Sequence, residues 1–180
     1  MNKVATAIEG LWVLEPKVFG DERGYFFESY NENAFVALGL QQRFVQDNES
    51  RSRRGTLRGL HFQRGEHAQA KLVRVVSGDV LDVAVDLRPG SATYGRVVTE
   101  LLTGENKKMM LVPRGFAHGF VVLSPEALFQ YKCDNFYRPD SEGGIRWDDP
   151  ELAIDWRIKA EDVILSPKDR LLPFFRELPR

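Results

Sequence analysis

Between Leu57 and Cys133 the chain keeps returning to one pattern: short runs in which every second residue is apolar, cut by turn residues. Gly55 to Gln63 reads as extended, and so does Lys71 to Val76 up to the turn Ser77-Gly78-Asp79. Val80 to Leu87 alternates larger apolar side chains with acids or alanine, and Arg88-Pro89-Gly90 turns the chain again. Tyr94 to Leu102 is extended, Thr103 to Asn106 breaks it, and Lys108 to Val112 resumes before Pro113. His118 to Leu123 and Leu128 to Asn135 flank Ser124-Pro125-Glu126-Ala127 as arms of a hairpin.

Upstream, Leu11 to Phe19 predicts a strand with Pro16 at an edge or a bend, Gly20 to Gly24 a turn, and Tyr25 to Tyr30 a further extended stretch. Asn31 to Leu38 predicts a short helix, with Asn31 as cap and Gly39 as stop. Phe44 to Asn48 reads as a strand end that puts Gln46 and Asn48 on one face. Glu49 to Gly55, with three arginines, reads as a solvated loop or, alternatively, a contact for an anionic ligand. Many strands with no amphipathic helix of about ten residues between them imply an all-β antiparallel sandwich or barrel with short peripheral helices. No dinucleotide fingerprint or phosphate loop is present, which argues against Rossmann chemistry.

The tail differs. Trp147 to Trp156 is polar and turn-rich, an irregular segment to be tied down by its indoles. Ser166-Pro167-Lys168-Asp169 has the layout of a capping box with Asp in place of Glu, so a helical turn is expected at about 166–173. Asp169 could serve only as part of that cap.

A length of 180 residues suits a single domain, taken as 1–180. Twenty-five basic against twenty-six acidic side chains leave a net charge of -1, so no nucleic-acid partner is expected and any anion must be met locally. Cys133 is the only cysteine, which excludes an internal disulfide framework and fits a reducing, cytoplasmic setting. No run approaches the roughly 18 apolar residues of a membrane helix, and no membrane partner is expected.

His61, His67 and His118, with Glu66, are the metal-ligand candidates. Pro113 to His118 resembles the second half of a cupin metal signature, but the first half needs two histidines separated by one residue, where this chain reads His61-Phe62-Gln63. No metal is therefore expected. Without metal, His61 suits proton abstraction near neutral pH, with a carboxylate to fix its tautomer. Lys71 is in phase with Val73 and Val75, so it either snorkels out at the strand end or serves a polar pocket, where its charge would offset an enolate. Arg58 and His61 fall on opposite faces of an ideal strand, and only a bulge or twist would unite them. Tyr131 alternates with Phe129 and Cys133, which turns it inward as core packing or as a proton donor. Tyr137, at a strand end, covers a base or closes the barrel.

Seven stretches in order resemble the dTDP-4-dehydrorhamnose 3,5-epimerase family from about Leu14 to Pro173: Pro16 to Gly24, Phe26 to Tyr30, Val45 to Asn48, Leu57 to Gln63, Lys71 to Arg74, Phe116 to Phe120, and Ser141 to Ile145 with Trp147. The resemblance implies a cupin-like jelly-roll barrel, a homodimer, and no metal or organic cofactor. It implies inversion of both carbons beside the C4 ketone of dTDP-4-dehydro-6-deoxy-D-glucose, giving dTDP-4-dehydro-L-rhamnose. A relative that inverts one carbon only is the alternative. The resemblance makes His61 the base, assisted by Asp169, Tyr131 the acid on the opposite face, and Lys71 the partner of the C4 oxygen. Around the nucleotide sugar it implies Arg23, Glu28, Gln46, Asp47, Asn48, Arg58, His118, Glu142 and Lys168, with Tyr137 stacked on thymine and Arg23 reaching a neighbouring subunit's pocket. Ala70, His67 and Arg114 depart from the family pattern, and Ala70 adds a methyl beside Lys71.

Overall fold

The computed structural model describes residues 1–179. Among the described residues thirteen strands run in chain order, the first seven being β1 (Asn2–Ala5), β2 (Trp12–Glu15), β3 (Phe19–Asp21), β4 (Gly24–Phe26), β5 (Gln46–Arg53), β6 (Leu57–Gln63) and β7 (Lys71–Ser77). They continue as β8 (Asp79–Asp86), β9 (Val97–Thr103), β10 (Met109–Val112), β11 (Phe116–Val122), β12 (Glu126–Cys133) and β13 (Glu142–Gly144). One sheet has the order β1-β2-β10-β7-β12-β5 and the other β13-β6-β11-β8-β9, with β3 and β4 forming a separate hairpin. Every strand pair is antiparallel. This is the expected cupin-like jelly roll, but the two sheets stay separate and do not close into one hydrogen-bonded cylinder.

The period of two decides which side chains meet. Val73 and Val75 of β7, Val80 and Ala84 of β8, Phe116 and Phe120 of β11, and Phe129 of β12 share the core between the sheets. The alternate residues of β8, Leu81, Val83 and Val85, face the other way and are sealed by Leu152, Trp156, Phe175 and Leu178 from the C-terminal segment. On the outside of the six-stranded sheet, Leu72 and Met109 pack with Phe35 and Leu40 from the region of α1 (Glu32–Ala37). β8 is thus apolar on both faces, and the acids and alanine of its alternation are the residues that point inward.

Asn31 caps α1 as its sequence predicts, its Oδ1 accepting from the Ala34 N–H at 3.1 Å. Pro16 splits the expected Leu11–Phe19 strand into β2 and β3, and the expected extension to Tyr30 stops at Phe26. The clearest correction is Glu49 to Arg53, expected as loop and found as the greater part of β5, paired along its whole length with β12. Its polar residues alternate in exposure with the strand period: Ser50 and Ser52 are the more buried, Glu49, Arg51 and Arg53 exposed. Strand formation here is dictated by the ladder rather than by apolar patterning. Arg51 pairs with Glu126 at 2.7 Å. In the tail, the Trp156 indole donates to the Trp147 carbonyl at 2.8 Å, and a 3-10 turn at Asp169–Leu171 lies within the expected helical stretch.

Candidate active site

Arg58 and His61 do line one cavity, and the ladder between β6 and β11 explains how. His118 is opposite His61 but Phe120 is opposite Arg58, so three steps on β6 match two on β11. The extra residue is a β-bulge, which restores the phase and turns Arg58 and His61 to the same side. Gly59 sits in the bulge at φ +127°, and a Cβ built there would lie 2.6 Å from the Gly119 Cα. Only glycine permits that approach of two backbones.

The cavity has a chamber of about 590 Å³ lined by Arg58, His61, Lys71, His118, Tyr131 and Asp169, among others. A second chamber of about 310 Å³ shares Asn48, His61, Lys71 and Tyr131 and adds Gln46, Tyr137 and Glu142. The two chambers therefore meet at His61, Lys71 and Tyr131. His61 comes from the five-stranded sheet, while Lys71 and Tyr131 come from the six-stranded one.

The C-terminal segment, packed over the outside of the five-stranded sheet, carries Asp169 to His61. Oδ1 of Asp169 lies 2.6 Å from His61 Nε2, a charge-assisted geometry, with the carboxylate side chain 5% exposed. Ser166 Oγ accepts the Asp169 N–H at 3.1 Å, so the expected cap is made by Ser166 and leaves the Asp169 carboxylate to the histidine. Burial opposes ionisation of Asp169, but His61, Ser166 and the Gly59 backbone outweigh it and hold the carboxyl below its ordinary range. With Nε2 engaged, His61 has Nδ1 for a substrate.

Lys71 has no carboxylate partner among the described residues; its Nζ lies 5.8 Å from the centre of the Tyr131 ring. Desolvation pushes the ammonium below its ordinary pKa, opposed by the nearby Cys133, Asp82 and Glu142. Tyr131 is pushed above the ordinary phenol value, chiefly by burial, with Arg58 pulling the other way. At the mouth, the Tyr137 hydroxyl donates to Glu142 at 2.6 Å, and Lys168 pairs with the same carboxylate. Those two partners overcome the cost of burying Glu142 and keep its carboxyl below the ordinary value.

A family model described as "dTDP-4-dehydrorhamnose 3,5-epimerase" matches residues 5–177 of the chain. The chain belongs to that family. It is 55% identical to the dTDP-4-dehydrorhamnose 3,5-epimerase of Escherichia coli K12, across 100% of this chain and 97% of the relative. It is 56% identical to that of Pseudomonas aeruginosa PAO1, across 94% and 93% of the two chains. Among solved structures, the Legionella pneumophila dTDP-6-deoxy-D-glucose-3,5-epimerase in complex with dTDP-4-keto-L-rhamnose superposes with a TM-score of 0.95 at 50% identity, covering 99% of this chain and 94% of that one. The protein is accordingly an isomerase, a 3,5-epimerase of a dTDP-linked 4-keto-6-deoxy sugar.

Not every residue implied by the 3,5-epimerase resemblance reaches the cavity. Arg23 is exposed on the β3–β4 hairpin and ion-paired with Asp21 at 2.5 Å, and Glu28 accepts from Asn31 at 2.9 Å. Asp47 takes the opposite phase from Gln46 and Asn48 and pairs with Lys132 at 2.9 Å. Two of the departures from the family pattern share one partner: Asp134 accepts the Ala70 N–H at 2.7 Å through Oδ1 and Arg114 Nε at 2.9 Å through Oδ2. The third, His67, lies 3.6 Å from Glu66, and the described residues contain no cluster of metal-ligating groups. One residue that the sequence reading passed over is Asp82, fully buried and bonded to His118. Its signal was an acid inside the apolar alternation of β8.

Proposed function

We propose that the chain inverts C3 and C5 of dTDP-4-dehydro-6-deoxy-D-glucose with His61 as base, Tyr131 as acid and Lys71 at the C4 oxygen. One observation carries the residue assignment: His61 and Tyr131 line a shared cavity from opposite sheets, with Lys71 on the tyrosine's side. The C4 ketone acidifies the hydrogens on its two neighbouring carbons. Nδ1 of His61 takes one of these protons, the C–H electron pair moves onto the C4 oxygen, and Asp169 stabilises the imidazolium that forms. The Lys71 ammonium faces the enolate oxygen from a desolvated position, where its charge counts for more than in water. The enolate then collapses by taking a proton from the Tyr131 hydroxyl on the other face, which inverts the carbon and leaves a phenolate for solvent to reprotonate. A phenol is protonated at neutral pH, so Tyr131 holds the proton it has to give, and burial pushes its pKa further up.

Gln46, Asn48, Arg58, His118, Glu142 and Lys168 hold the nucleotide sugar, with Arg58 and Lys168 as the cations for its diphosphate and Tyr137 as the stacking ring for its base. Arg23, Glu28 and Asp47 act in a homodimer, where the hairpin that bears Arg23 meets a second copy; Phe19, Tyr25 and Phe26 of that hairpin are large exposed apolar groups that support this reading. A reducing cytoplasm is the compartment we propose, in keeping with the free thiol of Cys133. The chemistry is tested by incubation with the 4-keto substrate in deuterated water. Label at both C3 and C5 is expected. Label at one carbon would make the protein a single-centre epimerase, and none would end the proposal.

A further inference from the structure

The inner face of the five-stranded sheet carries a second histidine–carboxylate pair. His118 is directly opposite His61 in the β6–β11 ladder, and Asp82 of β8 is its diagonal neighbour on the other side. His118 Nε2 lies 2.9 and 3.0 Å from the two oxygens of Asp82. The Asp82 carboxylate has no exposure and no hydrogen-bond partner besides His118 among the described residues. It lies in a core otherwise made by Val80, Ala84, Phe120 and Phe129. A carboxylate in such surroundings is costly unless it has a purpose that apolar packing could not serve.

His118 itself lines the larger chamber, and its Nδ1 has no partner among the described residues. With Asp82 ionised, its two acceptor oxygens aimed at Nε2 require a proton on that nitrogen, since an unprotonated Nε2 would set lone pairs against lone pairs. The ring can then neither flip nor exchange tautomers without stranding the buried oxygens. Lys71 from β7 is the other charge that acts on Asp82, and Arg58, His61, Tyr131, Lys168 and Asp169 line the same chamber as His118. None of them is hydrogen-bonded to the pair.

We propose that Asp82 is a positioning residue: it fixes the His118 ring with Nε2–H turned into the wall, so that Nδ1 faces the cavity and is reserved for an oxygen of the sugar. This rests on the epimerase reading of the cavity, and goes beyond it by assigning a buried group outside the cavity lining a part in sugar recognition. Removal of Asp82 leaves the ring free to rotate and an N–H without an acceptor. The expected loss in kcat/KM for Asp82→Ala is about ten- to a hundredfold, the range of one unsatisfied buried hydrogen bond. Asp82→Asn keeps an acceptor for Nε2–H, and its loss is expected to stay within about threefold.

The test is a double-mutant cycle on the full chain with the dTDP-linked 4-keto sugar, comparing parent, Asp82→Ala, His118→Ala and the double variant. If Asp82 acts through His118, the double variant is no worse than His118→Ala alone, and 15N spectra of the histidine rings show the Nε2–H form of His118 in the parent and Asp82→Asn but not in Asp82→Ala. Losses that multiply, or full activity in Asp82→Ala, overturn the proposal. dTDP affinity and circular dichroism establish that each variant is folded; should Asp82→Ala fail there, Asp82→Asn decides, and a hundredfold loss with an unchanged His118 spectrum overturns the proposal. A parent that forms no product and takes up no deuterium would remove the epimerase reading itself, whereas a working parent with multiplying losses removes this inference alone.

Discussion

The two histidine–carboxylate pairs on neighbouring strands have the same chemical parts and opposite settings. His61 keeps 29% of its side chain exposed to the cavity, and its carboxylate arrives from the C-terminal segment. His118 keeps 7%, and its carboxylate is a strand neighbour with no exposure at all. The surroundings act on the acids in opposite senses: burial raises the Asp82 pKa despite the offsetting charges of His118 and Lys71, whereas hydrogen bonds leave that of Asp169 lowered. A pair open to the cavity, with its carboxylate ionised, suits proton transfer. A sealed pair suits holding a ring still.

The largest separation between the two should come from the histidines. His61→Ala is expected to lose about a thousandfold or more of deuterium exchange at C3 and C5, in the range that general-base removal costs, while dTDP binding persists. His118→Ala should instead weaken sugar binding with exchange still measurable, and equal loss of exchange in both would erase the distinction. Tyr131→Phe comes next: product formation is expected to fall about a hundredfold while proton loss is impaired less, read from label uptake against product in one reaction. Unequal stability should follow at neutral pH. Asp169, with a lowered pKa, contributes stability that is complete above its unfolded value and is lost as pH falls through the folded value. Asp82, with a raised pKa, is a cost when ionised, and stability gained on acidification is lost as pH rises. Asp169→Asn is thus expected to lower the melting temperature at pH 7 and Asp82→Asn to raise it; shifts of the same sign would contradict the contrast. The smallest effect is expected for Arg114→Ala, whose half-exposed ion pair with Asp134 is worth about 0.5 kcal/mol, measurable by urea unfolding.

The strands were legible where one residue in two is apolar, as in β7, β8 and β12. β5 was not, because its inward side chains are Gln46, Asn48, Ser50 and Ser52 and its outward ones are charged, so that both faces read as polar. Hydrophobic alternation reports a core, and this face borders a cavity instead. The union of Arg58 with His61 was equally hidden, since a bulge is a mismatch between two strands and no single stretch encodes it. Asp169 could be reached only through the family resemblance; by local pattern it was a capping residue, and the contact that matters spans 108 positions. Asp82 was visible as a residue but not as a clue, because an acid in an alternating strand ordinarily marks the solvent side. Here that side is the interior.

Placing the carboxylate that meets His61 beyond the last strand of either sheet also sets an order of assembly for the site. All the strands of both sheets precede Asp169 in the chain, so the sheets can pair before the segment that carries it has docked. A chain halted at that stage would hold a shaped cavity with His61 in it and nothing to steady the proton it takes. On the proposed mechanism, turnover begins only after that segment has docked over the sheet and brought Asp169 to His61.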